Sequence, residues 1–315
     1  MSPFDRPFRF SVQCSSPPTN DPASWTQLAR RCETLGYDVL TVADHLDDQL
    51  APMPALMAAA DATTELRVGA MVLCNDYRHP VLVAKEAATV DLLSGGRLEL
   101  GLGAGWMATD YRSAGIGMAS AATRIDRLAE SLTIVKTLLA GERCDLAGEH
   151  YTVSGLVGTP LPIQRPRPPI LVGGGGRRVL RLAAREADIV GISTIMTTGQ
   201  VDAEAAATGT AVATDEKLEW IRDAAGSRWD SLELHVRVHL AVVTDDRLGM
   251  AEALAAGFGL TPAEALASPH ALCGTVDEIV DTLLERRARW GMSMIGLDVH
   301  ALESFAPVVA RLRGR

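Results

Sequence analysis

Leu93-Ser94-Gly95-Gly96-Arg97-Leu98-Glu99-Leu100-Gly101-Leu102-Gly103-Ala104-Gly105-Trp106 holds a helix stop, a strand and a glycine-rich turn in one short stretch. Ser94-Gly95-Gly96 ends the apolar helical pattern that runs from Pro80 to Leu93, as glycine does at helix C-termini. Arg97 to Leu102 follows as a short apolar run, and Gly103-Ala104-Gly105 turns the chain behind it. Small residues at the C-terminal end of this strand would leave room for a flat ring. Close strand packing is the other reading of the same glycines.

Working outward, the same unit recurs. Short β-branched runs lie at Phe8 to Gln13, Val39 to Ala43, Arg67 to Leu73, Arg97 to Leu102, Pro169 to Val172, Asp188 to Ile192, Leu232 to Val243 and Met294 to Val299. Segments with helical spacing of apolar residues follow them, at Asp21 to Leu35, Pro54 to Thr64, Pro80 to Leu93, Ala121 to Ala140, Arg177 to Glu186, Asp215 to Ala225, Asp246 to Ala256 and Val276 to Trp290. Eight strands alternating with eight helices predict an α/β fold, a TIM (β/α)8 barrel read as one domain over residues 1–315. A doubly wound open sheet uses the same units, but Val12-Gln13-Cys14-Ser15-Ser16 lacks the glycine-rich turn that fold places after its first strand. Thr275 with Asp277 and Glu278 marks a helix start, and Gly291 marks its end. Gly141 to Pro168 and Thr194 to Thr214 exceed a minimal barrel and read as insertions over the C-terminal face, where barrel loops carry function.

Composition narrows the function classes. Hydrophobic residues are 47% and charged residues 22% of the 315, the balance of a chain that folds as a globule. Thirty Lys plus Arg against 39 Asp plus Glu give a net charge of -9, so there is no basic footprint for nucleic acid, and 4% aromatics leave few stacking platforms. The five cysteines are scattered without a CxxC pair, which fits a reduced cytoplasmic protein with no metal site. Neither a signal peptide nor a membrane span is expected.

In a barrel the strand C-termini face the site. Asp44-His45 closes the second strand, and an imidazole there can exchange a proton with a reacting ring, with His45 as the catalytic candidate. Neighbouring strand-end side chains diverge, so Asp44 and His45 should have separate partners; a structural hydrogen bond or cap is the other reading. Gly173-Gly174-Gly175-Gly176-Arg177-Arg178 follows a strand and opens a helix. Close backbone approach, the helix N-terminus and two arginines that oppose the macrodipole suit a phosphate or carboxylate, and a β-branched residue at Gly175 would then block the anion. His235, Arg237 and His239 alternate on one face, but roughly 13 Å between the histidines is too far for shared metal ligation. Gln13, His239 and His300 end strands and are substrate-contact candidates, with a structural role as the other reading for the two histidines.

These residues resemble the luciferase-like monooxygenase superfamily. The matches run in order through Ala29 to Asp38, Val42-Ala43-Asp44-His45, Tyr77-Arg78-His79-Pro80, Lys85 to Thr89, Leu93 to Trp106, Pro169 to Gly175 and Ala187 to Val190. Within it, the chain is similar to the coenzyme F420-dependent oxidoreductases. The resemblance implies a two-electron redox enzyme with a deazaflavin ring beside His45. A non-prolyl cis peptide at Met71-Val72 would support the ring. Asp44, Gly103, Gly105 and Trp106 would be near it, and Gly174, Gly175, Gly176 and Arg177 would hold the phosphate. Sugar-phosphate dehydrogenases of the superfamily carry a glutamate where this chain has Ala104, a departure from that substrate class. FMN is the alternative cofactor and would bring oxygenation instead of hydride transfer. A non-catalytic anion-binding barrel is a third reading. The expected partners are a small-molecule substrate and a second copy of the chain, with no nucleic acid and no membrane.

Overall fold

Near-continuous apolar runs such as Leu98-Glu99-Leu100-Gly101-Leu102 are what a parallel strand covered on both faces requires, and in this chain they form the central sheet. The computed structural model describes residues 2–14, 21–197, 199 and 202–315. Its strands, in chain order, are β1 (Arg9–Cys14), β2 (Val39–Val42), β3 (Arg67–Ala70), β4 (Leu73–Cys74), β5 (Leu98–Gly103), β6 (Arg143–Ala147), β7 (Thr152–Val157), β8 (Ile170–Gly174), β9 (Ile189–Ile192), β10 (Glu233–Arg237), β11 (Leu240–Val243), β12 (Ala271–Gly274) and β13 (Met292–Asp298). The main sheet has the order β3-β2-β1-β13-β10-β9-β8-β5-β4 with a further pairing of β3 with β5, the strand order of a TIM (β/α)8 barrel. Nine segments make eight barrel strands because the third is interrupted at Met71-Val72, whose peptide is cis, as the resemblance implies.

The chain divides into two compact units. The first comprises Met1–Cys14, Arg31–Val39 and Gly173–Arg315. Here β1 and β10 pair in parallel with β13, and Phe8, Phe10 and Phe305 are completely buried beside them. The helix Val276–Trp290 opens on a reciprocal cap, Thr275 with Glu278, and stops at Gly291 with φ 72°, as its sequence punctuation predicts. The second unit comprises Ser15–Arg30 and Leu40–Val172. Arg97 fixes the N-terminal side of β5: its guanidinium donates to the carbonyls of Ala60 (2.7 Å) and Leu66 (2.9 Å), and its Nε donates to that of Ser94 (2.7 Å).

Several elements differ from the sequence reading. The expected strand Leu232 to Val243 is two strands, because the backbone changes partners: Val238 N–H donates to Gly296, whereas His239 N–H donates to His270. β11 then pairs with β12, a strand the alternation does not reveal. Gly141 to Pro168 carries an antiparallel hairpin of β6 and β7, and Thr194 to Thr214 contains the short helix Ala203–Ala207. Residues 198, 200 and 201 of that insertion, and Ser15-Ser16, lie outside the described residues. No helix among the described residues is long and apolar enough to cross a membrane.

Candidate active site

In the second unit, Asp44 and His45 follow β2, and each has its own partner. Asp44, 5% exposed, accepts from Arg78 at 2.5 and 3.1 Å and from the Cys74 N–H at 2.9 Å. Its carboxylate therefore clamps the loop that follows β4. His45 Nδ1 lies 2.8 Å from Asp110 Oδ2. Asp110 is 4% exposed and also receives the Tyr77 hydroxyl at 3.3 Å and the Leu46 N–H at 3.4 Å. An ionised carboxylate only accepts, so Nδ1 carries the proton and Nε2 is left to take or give one. The edge of Trp106 meets the His45 ring at 5.6 Å between centroids with planes at 90°. Tyr111 donates to Asp76 at 3.0 Å, and burial pushes the Tyr77, Tyr111 and Cys74 pKa values up, so these groups stay protonated.

The glycines of β5 and its turn make room for protein. A Cβ at Gly101 would strike the Ala70 carbonyl, one at Gly103 would lie 2.5 Å from Val72 Cγ2, and one at Gly105 would strike the Tyr111 hydroxyl. Gly105 also has φ 81°, which only glycine adopts freely. The space beside these glycines is thus filled by the Ala70-Met71-Val72 segment and by Tyr111.

In the first unit, the glycine turn leads from β8 into the helix Arg177–Glu186. This helix has no side-chain cap at Gly176, and a Cβ on Gly176 would meet nothing within 4 Å among the described residues. Gly175 is different. A Cβ there would strike the Thr194 backbone carbonyl, so a β-branched residue at 175 disrupts packing before it can report on any anion, contrary to the sequence expectation. Gly174 packs on Val179, and Arg177 is exposed. Lys217, 1% exposed, donates to the carbonyls of Ser193 (2.7 Å) and Thr208 (2.6 Å), and the Ser193 N–H in turn donates to Gly174 (3.0 Å).

The three substrate-contact candidates are all in this unit. Gln13 Oε1 accepts from Arg237, which also donates to Asp298 at 3.1 Å, so Gln13 belongs to a polar network across β1, β10 and β13. His300 is not at the end of a strand. β13 stops at Asp298, and His300 lies in the 3-10 turn Val299–Ala301 with its side chain 91% exposed. His239 is exposed beyond β10, its ring 5.5 Å from that of His270. His235 is buried, its Nε2 without a partner among the described residues; burial first, and then the nearby Arg237 and Arg9 charges, lower its pKa to about 3.

Asp110 and Tyr77 were outside the candidate set. Asp110 belongs to the short helix Ala108–Ala114, too brief to show apolar periodicity, although an acid in the first turn after Gly105-Trp106 is a visible signal.

The strand order is that of a TIM (β/α)8 barrel. The luciferase-like monooxygenase family model matches residues 7–294, and the chain belongs to that family. It is 33% identical over 190 residues to an F420-dependent glucose-6-phosphate dehydrogenase of Microbacterium testaceum, covering 58% of this chain and 55% of that protein. It is 32% identical over 155 residues to an FMNH(2)-dependent dimethylsulfone monooxygenase of Pseudomonas putida, covering 49% of this chain and 40% of the other. The chain thus spans about half the length of these relatives. Its fold is similar to that of the coenzyme F420-dependent tetrahydromethanopterin reductase of Methanopyrus kandleri, with TM-score 0.75 and 16% identity over 98% of this chain and 100% of that one.

Proposed function

We propose that this chain is an F420-dependent oxidoreductase that moves a hydride between the deazaflavin and a small organic substrate. The observation that carries the reading is the His45–Asp110 pair at 2.8 Å, a proton-exchanging group held in one tautomer by a buried carboxylate. The residues present suit such a cofactor. Among the described residues nothing crowds the uncapped helix start at Gly176, which lets a phosphate reach its N–H groups. In the first unit this reading has Gly174, Gly175, Gly176 and Arg177 hold a phosphate; in the second, Met71, Val72, Gly103, Gly105, Trp106 and the Asp44 clamp are the ring-side residues that the family resemblance implies. When bound, a deazaflavin supplies a hydride carrier that does not readily activate oxygen.

His45 then exchanges a proton through Nε2 as charge develops in the transition state. Asp110 keeps Nδ1 protonated and stabilises the imidazolium. Tyr77 and the Leu46 N–H hold the Asp110 carboxyl in place.

The Pseudomonas putida relative supports a second reading, in which FMN replaces F420 and the chemistry is oxygenation. Parallel titration with F420, FMN and FAD, read by fluorescence quenching, separates the readings. Stoichiometric quenching by F420 is expected. Tight FMN with oxygen consumption on reduction favours the second reading, and binding of none of the three overturns both.

A further inference from the structure

A cavity of about 300 Å³ in the second unit has walls from the loop after β4, the helix Ala121–Leu139 and the tip of the β6–β7 hairpin. The walls are tied together. Glu130, on the helix, accepts the N–H groups of Glu149 (2.8 Å), His150 (3.0 Å) and Tyr151 (3.0 Å), and Gly148 carries no Cβ to obstruct its carboxylate. Asn75 Nδ2 donates to the Tyr151 hydroxyl at 3.1 Å, which joins the hairpin tip to the loop.

The hydrogen-bonding capacity of the lining is unbalanced. His79 Nδ1 accepts from the Val81 N–H, so its proton is on Nε2, which donates. The Tyr151 hydroxyl is the acceptor for Asn75, so its own proton is available. The Arg127 side chain, 32% exposed, makes a single 3.4 Å contact among the described residues, with Asp76, which leaves its other N–H groups for a ligand. Glu130 is committed to the hairpin backbone, and Arg78 to Asp44. The Asp76 side chain is 4% exposed; its Oδ2 receives Tyr111 and Arg127, and its buried Oδ1 has no partner among the described residues. A cation with two further donors calls for an oxyanion, and the bare carboxylate oxygen beside them calls for a hydroxyl.

We infer that this cavity is a binding site for a small molecule that carries a phosphate or carboxylate next to a hydroxyl group, the oxyanion on Arg127, His79 and Tyr151 and the hydroxyl on Asp76. The inference does not depend on which redox cofactor the protein uses.

The test uses the cofactor-free protein with glycerol 3-phosphate, inorganic phosphate and glycolate as probes, followed through the imidazole NMR signals of His79 and His150. Saturable shifts are expected, with glycerol 3-phosphate about tenfold tighter than inorganic phosphate, and glycolate distinguishes carboxylate from phosphate recognition. Arg127→Gln should weaken every probe at least tenfold. Tyr151→Phe, which keeps the ring, should weaken them several-fold if Arg127→Gln fails to fold. Gly176→Val, in the other unit, should leave these shifts unchanged, which separates this site from the proposed cofactor phosphate. Absence of saturable shifts for all three probes, or an Arg127→Gln affinity within twofold of wild type, overturns the inference.

Discussion

Lys217 offers a perturbation whose sign and size follow from its surroundings. The ammonium is 1% exposed and bonded to two backbone carbonyls, and burial, only partly opposed by Glu216, lowers its pKa from 10.5 to about 8. The folded pKa is below the unfolded one. Between pH 8 and pH 10.5 the unfolded chain therefore holds a proton that the folded chain has released, and wild-type stability rises with pH through that window. A shift of about 2.5 units at 1.36 kcal/mol each amounts to about 3 kcal/mol, complete near pH 10.5. The neutral amine still has two N–H groups for Ser193 and Thr208, so the loop stays anchored as the proton leaves. Lys217→Met removes both bonds and should cost about 1–3 kcal/mol at pH 7. Urea unfolding of both proteins from pH 7 to 10.5 measures the difference between them, in which the titration of all other groups cancels. That gap should widen by about 3 kcal/mol. A gap constant to within about 0.5 kcal/mol would refute the reasoning.

Three other outcomes are expected. Asp110→Asn should keep the fold and slow single-turnover cofactor oxidation by about 10- to 100-fold, against about 10²- to 10⁴-fold for His45→Ala; equal rates in wild type and both variants would remove the pair from the mechanism. Gly175→Val should destabilise by about 1–3 kcal/mol through its clash with the Thr194 backbone. Gly176→Val should instead weaken cofactor binding with little change in melting temperature, and unchanged affinity there counts against the phosphate assignment. His235 and His270 have folded pKa values of about 3, below the ordinary 6.5, so the unfolded chain binds the extra protons and stability falls as pH drops from 6.5 toward 3. His270→Leu should flatten that acid slope in a denaturation series, and an unaltered slope would contradict it.

The alternation of apolar runs determined the eight barrel strands, because a strand buried on both faces and a helix packed on one leave different periods in the chain. Local chemistry was equally readable: Thr275 with Glu278 and Gly291 bounded a helix through contacts a few residues apart. Asp44-His45 was visible as chemistry at a strand end, and so was the glycine turn before Arg177. What tertiary structure decided was the partners. Asp110 is 65 residues from His45 in sequence, and Arg78 is 34 from Asp44; the loops and short helix that bring them together have no period of their own. The reason for each glycine was likewise hidden. Gly101 yields to the Ala70 carbonyl and Gly175 to the Thr194 backbone, while a Cβ at Gly176 would meet none of the described residues. The division of Leu232 to Val243 into β10 and β11 depended on a carbonyl of His270, more than thirty residues away. A sequence fixes what each residue can bond to and how far its local segment repeats. Which distant backbone or carboxylate fills that capacity is set only when the chain is packed.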